Sequence, residues 1–92
     1  MQKFLIEVPH EAETKACARA AKVLLQTGSH FVTHAEFGCM DGDHRAWMIM
    51  EFQSKSEALS AVPPEFRTNA RVVALNRFTI EQLDRFIGQH KA

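Results

Sequence analysis

An Asp-Gly pair at 41–42 lies between two runs of alternating residues in the stretch SHFVTHAEFGCMDGDHRAWMIMEFQ. It is the strongest short-range signal in the chain. A two-residue type I′ turn needs positive φ at both central positions, and Asp-Gly tolerates that. The spacing therefore predicts two antiparallel strands joined at this turn. With Asp41 and Gly42 as the turn residues, opposed residue numbers sum to 83. Met40 then faces Asp43, Cys39 faces His44, Glu36 faces Trp47 and His34 faces Ile49. A slip of one residue would exchange the two faces. One face holds Phe31, Thr33, Ala35, Phe37, Ala46, Met48, Met50 and Phe52 and reads as core. The other holds Val32, His34, Glu36, Trp47, Ile49 and Glu51 and reads as open.

The flanking segments complete a pattern. Residues 3–8 alternate Phe4, Ile6 and Val8 against Lys3, Leu5 and Glu7, the period of a strand. Pro9 ends it, since proline cannot donate to a ladder. Residues 11–27 predict a helix whose one face carries Ala16, Cys17, Ala20, Val23 and Leu24, with Gly28 in the stop position. Ser54 with Glu57 forms a capping box that opens a second helix, which Pro63-Pro64 closes. Residues 71–78 predict a fourth strand. Thr79 with Gln82 caps a last helix reaching Gly88, its Ile80, Leu83 and Ile87 turned inward with Phe86 beside them.

The order β-α-β-β-α-β, with one further helix, predicts an α+β fold of ferredoxin-like type. Ninety-two residues make one domain, 1–92, with its core in 3–78 and a C-terminal helix at 79–88. Right-handed crossovers favour a four-stranded antiparallel sheet of order 4-1-3-2 with the helices on one face.

Charge narrows the function classes. Eleven basic and eleven acidic side chains cancel, which leaves no electrostatic footprint for a phosphate backbone. Nucleic acid is not expected as a partner, and the aromatic strand pattern of RNA-binding sheets is missing. No apolar run approaches the roughly 18 residues of a membrane span. Cys17 and Cys39 lack CxxC spacing and read as reduced thiols, so a cytoplasmic location is expected.

The segment WMIMEFQSKSEALSAVPPEFRTNARVVALNR, residues 47–77, combines a central strand, a Ser-capped SxxEAL helix, a proline-bearing loop and a last strand. In this layout the chain resembles small proteins of the dimeric α/β-barrel group, among them muconolactone isomerase-like and antibiotic-biosynthesis monooxygenase-like proteins. The resemblance implies a homodimer in which the helix-free sheet face encloses a small cavity. The residues agree independently, since Leu5, Val32, Trp47, Ile49 and Val73 or Leu75 would form an apolar patch on that face.

On that reading His34, Glu36 and Glu51 are the candidate catalytic residues, a histidine and carboxylates able to move a proton. Trp47, Ile49, Glu7 and Leu5 would bind a small molecule, and Arg71 with Arg77 could clamp a carboxylate. A non-catalytic binding or assembly module on the same face is the alternative. No cofactor is expected. His30 and His34 stand about 13 Å apart in a strand and cannot share an ion. Cys39 with His44 is a lesser metal alternative, for a free cysteine is usually a small hydrophobe. His10 is assigned to the entry of the first helix.

Overall fold

The computed structural model describes residues 1–11, 13–27 and 34–89. Strand β1 spans Gln2–Pro9, helix α1 Thr14–Thr27, β2 Glu36–Phe37, β3 Arg45–Phe52, helix α2 Lys55–Ser60, β4 Arg71–Leu75 and helix α3 Ile80–Gln89, with 3-10 turns at Cys39–Asp41 and Pro64–Asn69. The four strands form one sheet whose neighbours run β2-β3-β1-β4. Every pairing is antiparallel.

β1 is the spine. It pairs with β3 from Gln2↔Phe52 to Pro9↔Arg45 and with β4 from Lys3↔Leu75 to Glu7↔Arg71. Its alternation works as the sequence predicts. Phe4, Ile6 and Val8 are buried together with Ala46, Met48 and Phe52 of β3, while Leu5 and Glu7 take the other face. Ala20 and Leu24 of α1, Ala58 of α2 and Val62 close over the buried set. Fully burying a side chain such as Ile6, Leu24 or Met48 contributes about 1.5–3 kcal/mol, so this small cluster carries the fold.

Both capping boxes form. The Ser54 hydroxyl accepts from the Glu57 N–H at 3.1 Å, and the Glu57 carboxylate accepts from the Gln53 N–H at 3.0 Å. Thr79 Oγ1 accepts from the Gln82 N–H, and Gln82 Oε1 accepts from the Thr79 N–H at 2.8 Å. Arg67 donates to the carbonyls of Ser60 and Val62, satisfying backbone groups at the end of α2.

The predicted ferredoxin-like sandwich is corrected by the structure, which shows a less regular α+β fold around the four-stranded sheet. His34 has helical backbone instead of strand backbone. Among the described residues β2 is reduced to Glu36–Phe37, which pair with Trp47 and Ala46. The predicted register does hold where pairing exists: Glu36 is opposite Trp47 and Phe37 opposite Ala46. The turn differs. Among the described residues Gly42, at φ 83°, has the single positive φ, whereas a type I′ turn needs two. Cys39–Asp41 wind instead into a 3-10 turn, tied down by Asp41 and Asp43 N–H groups donating to the Gly38 carbonyl. The last helix is corrected as well. Ile80, Leu83, Phe86 and Ile87 are exposed, not inward-facing. The predicted Gly28 stop, together with His30, Phe31, Val32 and Thr33, lies outside the described residues.

Gly38 anchors this turn for a steric reason. A Cβ there would fall 2.7 Å from the Asp43 carbonyl oxygen and 2.8 Å from the Trp47 ring. Gly38→Ala should therefore destabilise the protein by about 1–3 kcal/mol, the usual cost of overpacking. In a domain of this size that lowers the midpoint of a thermal melt by roughly 4–8 °C per kcal/mol. An unchanged melting temperature would show that the turn is not clamped here.

Candidate metal centre

Four potential metal ligands meet at one end of the sheet. His10, Cys17, Cys39 and His44 place one donor atom each within 4.8 Å of every other. The register explains why. β1 and β3 pair with residue numbers summing to 54, and His10 with His44 is the next step beyond Pro9↔Arg45. The His10 N–H donates to the His44 carbonyl at 3.0 Å, continuing the ladder. Alternation then puts both imidazoles on the face that holds Val8 and Ala46. Cys39 opens the 3-10 turn that follows Phe37, a residue packed on that same core. Cys17 continues the buried stripe of Ala20 and Leu24 one turn earlier on α1. The four side chains thus occupy positions where core residues would be expected.

The geometry suits a tetrahedral ion. His10 Nε2 lies 3.0 Å from Cys39 Sγ, and Cys17 Sγ lies 2.9 Å from His44 Nδ1. The two rings meet edge to face at 73°, their centroids 5.7 Å apart. Ions held at about 2.3 Å by sulfur and 2.0–2.1 Å by nitrogen need donor atoms roughly 3.3–3.8 Å apart. The two short sulfur–nitrogen contacts would open by roughly half an ångström, and the widest pairs, up to 4.8 Å, would close by about 1 Å around an ion. His10 also has an orienting partner: its Nδ1 is 3.1 Å from the Glu11 carbonyl. A proton on Nδ1 donated to that oxygen leaves Nε2 free to ligate, the arrangement seen at metal-binding histidines. All four residues are half-buried, and both cysteines are free thiols.

Electrostatics within the cluster favour the protonated thiol at Cys39 in the absence of a cation. Desolvation pushes that thiol above its ordinary pKa, the neighbouring Cys17 sulfur adds to the shift, and the Asp43 carboxylate contributes further. A thiol placed this way is a poor nucleophile when metal-free, because the thiolate is the reactive form. A divalent cation would reverse that balance by stabilising two thiolates.

The residues singled out on the open sheet face are spread apart. Glu36 is exposed beside Trp47 on the short edge strand. Glu51 pairs with Lys3, four residues along β3 from Trp47, or about 13 Å. His34 sits in helical backbone before β2 and is exposed. The proposed acid/base group and its two carboxylates are therefore not brought to one point. Glu7 instead accepts a hydrogen bond from the Trp47 indole at 3.1 Å and an ion pair from Arg45 at 3.5 Å. Arg71 stands opposite Glu7, whereas Arg77 lies beyond the far end of β4, so the two do not form a clamp. Leu5 and Ile49, both expected on the open face, stand opposite each other in the β1–β3 ladder.

Sequence reasoning paired Cys39 with His44 but missed His10 and Cys17. The signal was present as His10-x6-Cys17 and Cys39-x4-His44, two Cys/His pairs far apart in the chain. Polar residues at core parity at the ends of two strands were the second clue. Comparison of the chain with protein-family models, with curated proteins and with solved structures finds no match.

The raised pKa of Cys39 has a measurable consequence. In metal-free protein, alkylation of Cys39 followed by peptide mass mapping should be slow at neutral pH. Its rate should rise with pH through a midpoint above that of an unstructured cysteine peptide. A midpoint at or below the peptide's value would contradict the burial and charge environment described.

Proposed function

We propose that this protein is a metal-binding module that holds one divalent ion, zinc by its ligand chemistry, through His10, Cys17, Cys39 and His44. The single observation that carries the reading is the convergence of four donor atoms within 4.8 Å from the residue after β1, α1, the 3-10 turn and the residue before β3. Two thiolates and two imidazoles in tetrahedral array form a soft S₂N₂ donor set that suits Zn²⁺. Four protein ligands leave no open position, which is the mark of a structural rather than a catalytic ion. The ion would tie the entry of α1 and the β2–β3 turn to the end of the β1–β3 ladder. Such a staple stabilises a chain of 92 residues whose core is small. The convergence supports this reading over a small-molecule enzyme of the open face, whose candidate acid and carboxylates stand apart.

Elemental analysis of protein purified without a histidine tag should find about one zinc per chain, and Co²⁺ substitution should give the intense visible bands of a tetrahedral thiolate site. His10→Ala, Cys17→Ser, Cys39→Ser and His44→Ala should each weaken binding by more than about 100-fold, beyond the effect of losing an orienting partner alone. The absence of bound metal in wild-type protein under reducing conditions, or full stoichiometry in these variants, would defeat the proposal.

Acid should release the ion. Thiolates and neutral imidazoles bind metal, and protons compete for both. Zinc affinity should therefore fall steadily as pH drops below neutral, and a chelator should lower the melting temperature at pH 7.5 but change little in protein already stripped by acid. Melting behaviour identical with and without chelator would show that no ion supports the fold.

A further inference from the structure

Helix α3 carries an apolar stripe into open space. Ile80, Leu83 and Ile87, spaced as one helical face, are 78, 43 and 63% exposed, and Phe78 and Phe86 beside them are exposed as well. The chain's longest dimension is 53 Å and its radius of gyration 16.5 Å, against about 12 Å for a compact domain of this length. The difference reflects an element that does not close on its own core.

Among the described residues a second open surface lies on the same chain. The face of the sheet opposite α1 and α2 bears Leu5, Ile49, Val73 and Leu75, of which Ile49 is 52% exposed. Lys3, Ile49, Glu51, Leu75 and Arg77 line a hollow there.

We infer that α3 of one copy of the chain docks in the open-face hollow of a second copy, and that the exchange is reciprocal. Area supports it. Large apolar side chains of this kind carry roughly 150–250 Å² each, so the exposed fractions leave on the order of 500 Å² of apolar helix surface per copy. That is at the upper limit for a monomer's apolar patch. The sheet face, with Ile49 exposed and Leu5, Val73 and Leu75 partly exposed, adds to that area toward the ~800 Å² per partner of a standard interface. Charge supports it too. Lys3 and Arg77 at the hollow would face Glu81 and Asp84 on the helix, and Arg85, which pairs with Glu81 at 3.7 Å within the helix, would face Glu51. A net charge of zero removes repulsion between copies. One two-fold interface covers both surfaces at once, as closed symmetry requires. A membrane surface fits less well, since interfacial helices are rich in Lys and Arg and the polar side of α3 carries Glu81, Asp84 and the single Arg85. The inference is independent of the metal centre, which lies at the other end of β1 and β3.

Light scattering coupled to size exclusion, at several micromolar concentrations, tests it on the full chain. Wild type should run as a dimer. Leu83→Asp with Ile87→Asp on the helix should give a monomer, and so should Ile49→Asp on the sheet. All of these positions are exposed, so circular dichroism should show unchanged folding. Mixed in equal amounts, the two variants should recover a heterodimer, because one intact helix still meets one intact sheet face. A monomeric wild type would overturn the inference, whether α3 then folds on its own chain or binds neutral lipid vesicles. A dimer that survives the helix substitutions would assign the interface to sheet against sheet. One that survives Ile49→Asp would assign it to helix against helix. Failure of the mixture to recover a heterodimer would exclude reciprocal exchange.

Discussion

The antiparallel pairing of β1 with β3 is the interaction on which the rest of the structure depends. Its eight opposed pairs bring Ile6 against Met48 and Val8 against Ala46, and these residues form the floor of the core. A shift of one residue would move that whole set to the other face, because side chains alternate with a period of two. The same register carries on one step past Pro9↔Arg45 and sets His10 against His44. Core and candidate metal centre are thus consequences of one ladder. The hydrophobic pattern that specifies the first also places the second.

Helix α1 contributes in the same way. Leu24 and Ala20 are buried over the sheet, and the turn that buries them leaves Cys17 above the strand ends. The thiol needs no special loop to reach the imidazoles. Cys39 does need one. The 3-10 turn at Cys39–Asp41 swings its sulfur to within 3.0 Å of His10 Nε2, and that turn depends on the close approach of Gly38 to Trp47 and to the Asp43 carbonyl. Trp47, singled out from sequence as a binding residue, has a structural use at this point: its ring lies against Gly38 and its N–H is held by Glu7.

The uncovered side of the sheet and the uncovered side of α3 share a cause. Two helices of one small chain can close only one face of a four-stranded sheet. The third helix is joined to β4 by residues 76–79 and presents its apolar stripe away from the core it might have joined. Such surfaces are costly to leave in water.

Much of this was legible from sequence because it rests on local rules. The alternation of residues 3–8, the helical face of Ala20 and Leu24, the boxes at Ser54/Glu57 and Thr79/Gln82, and the opposition of Glu36 to Trp47 follow from periodicity and hydrogen-bond chemistry within a few residues. What sequence determined by itself was which side chains share a face within each element. Only the tertiary structure decided which faces meet. His10 and Cys17 lie 29 and 22 residues before Cys39, and no short-range rule draws them together. A 3-10 turn in place of a type I′ turn also depended on tertiary packing, through the Trp47 ring over Gly38, which outweighs the intrinsic preference of Asp-Gly.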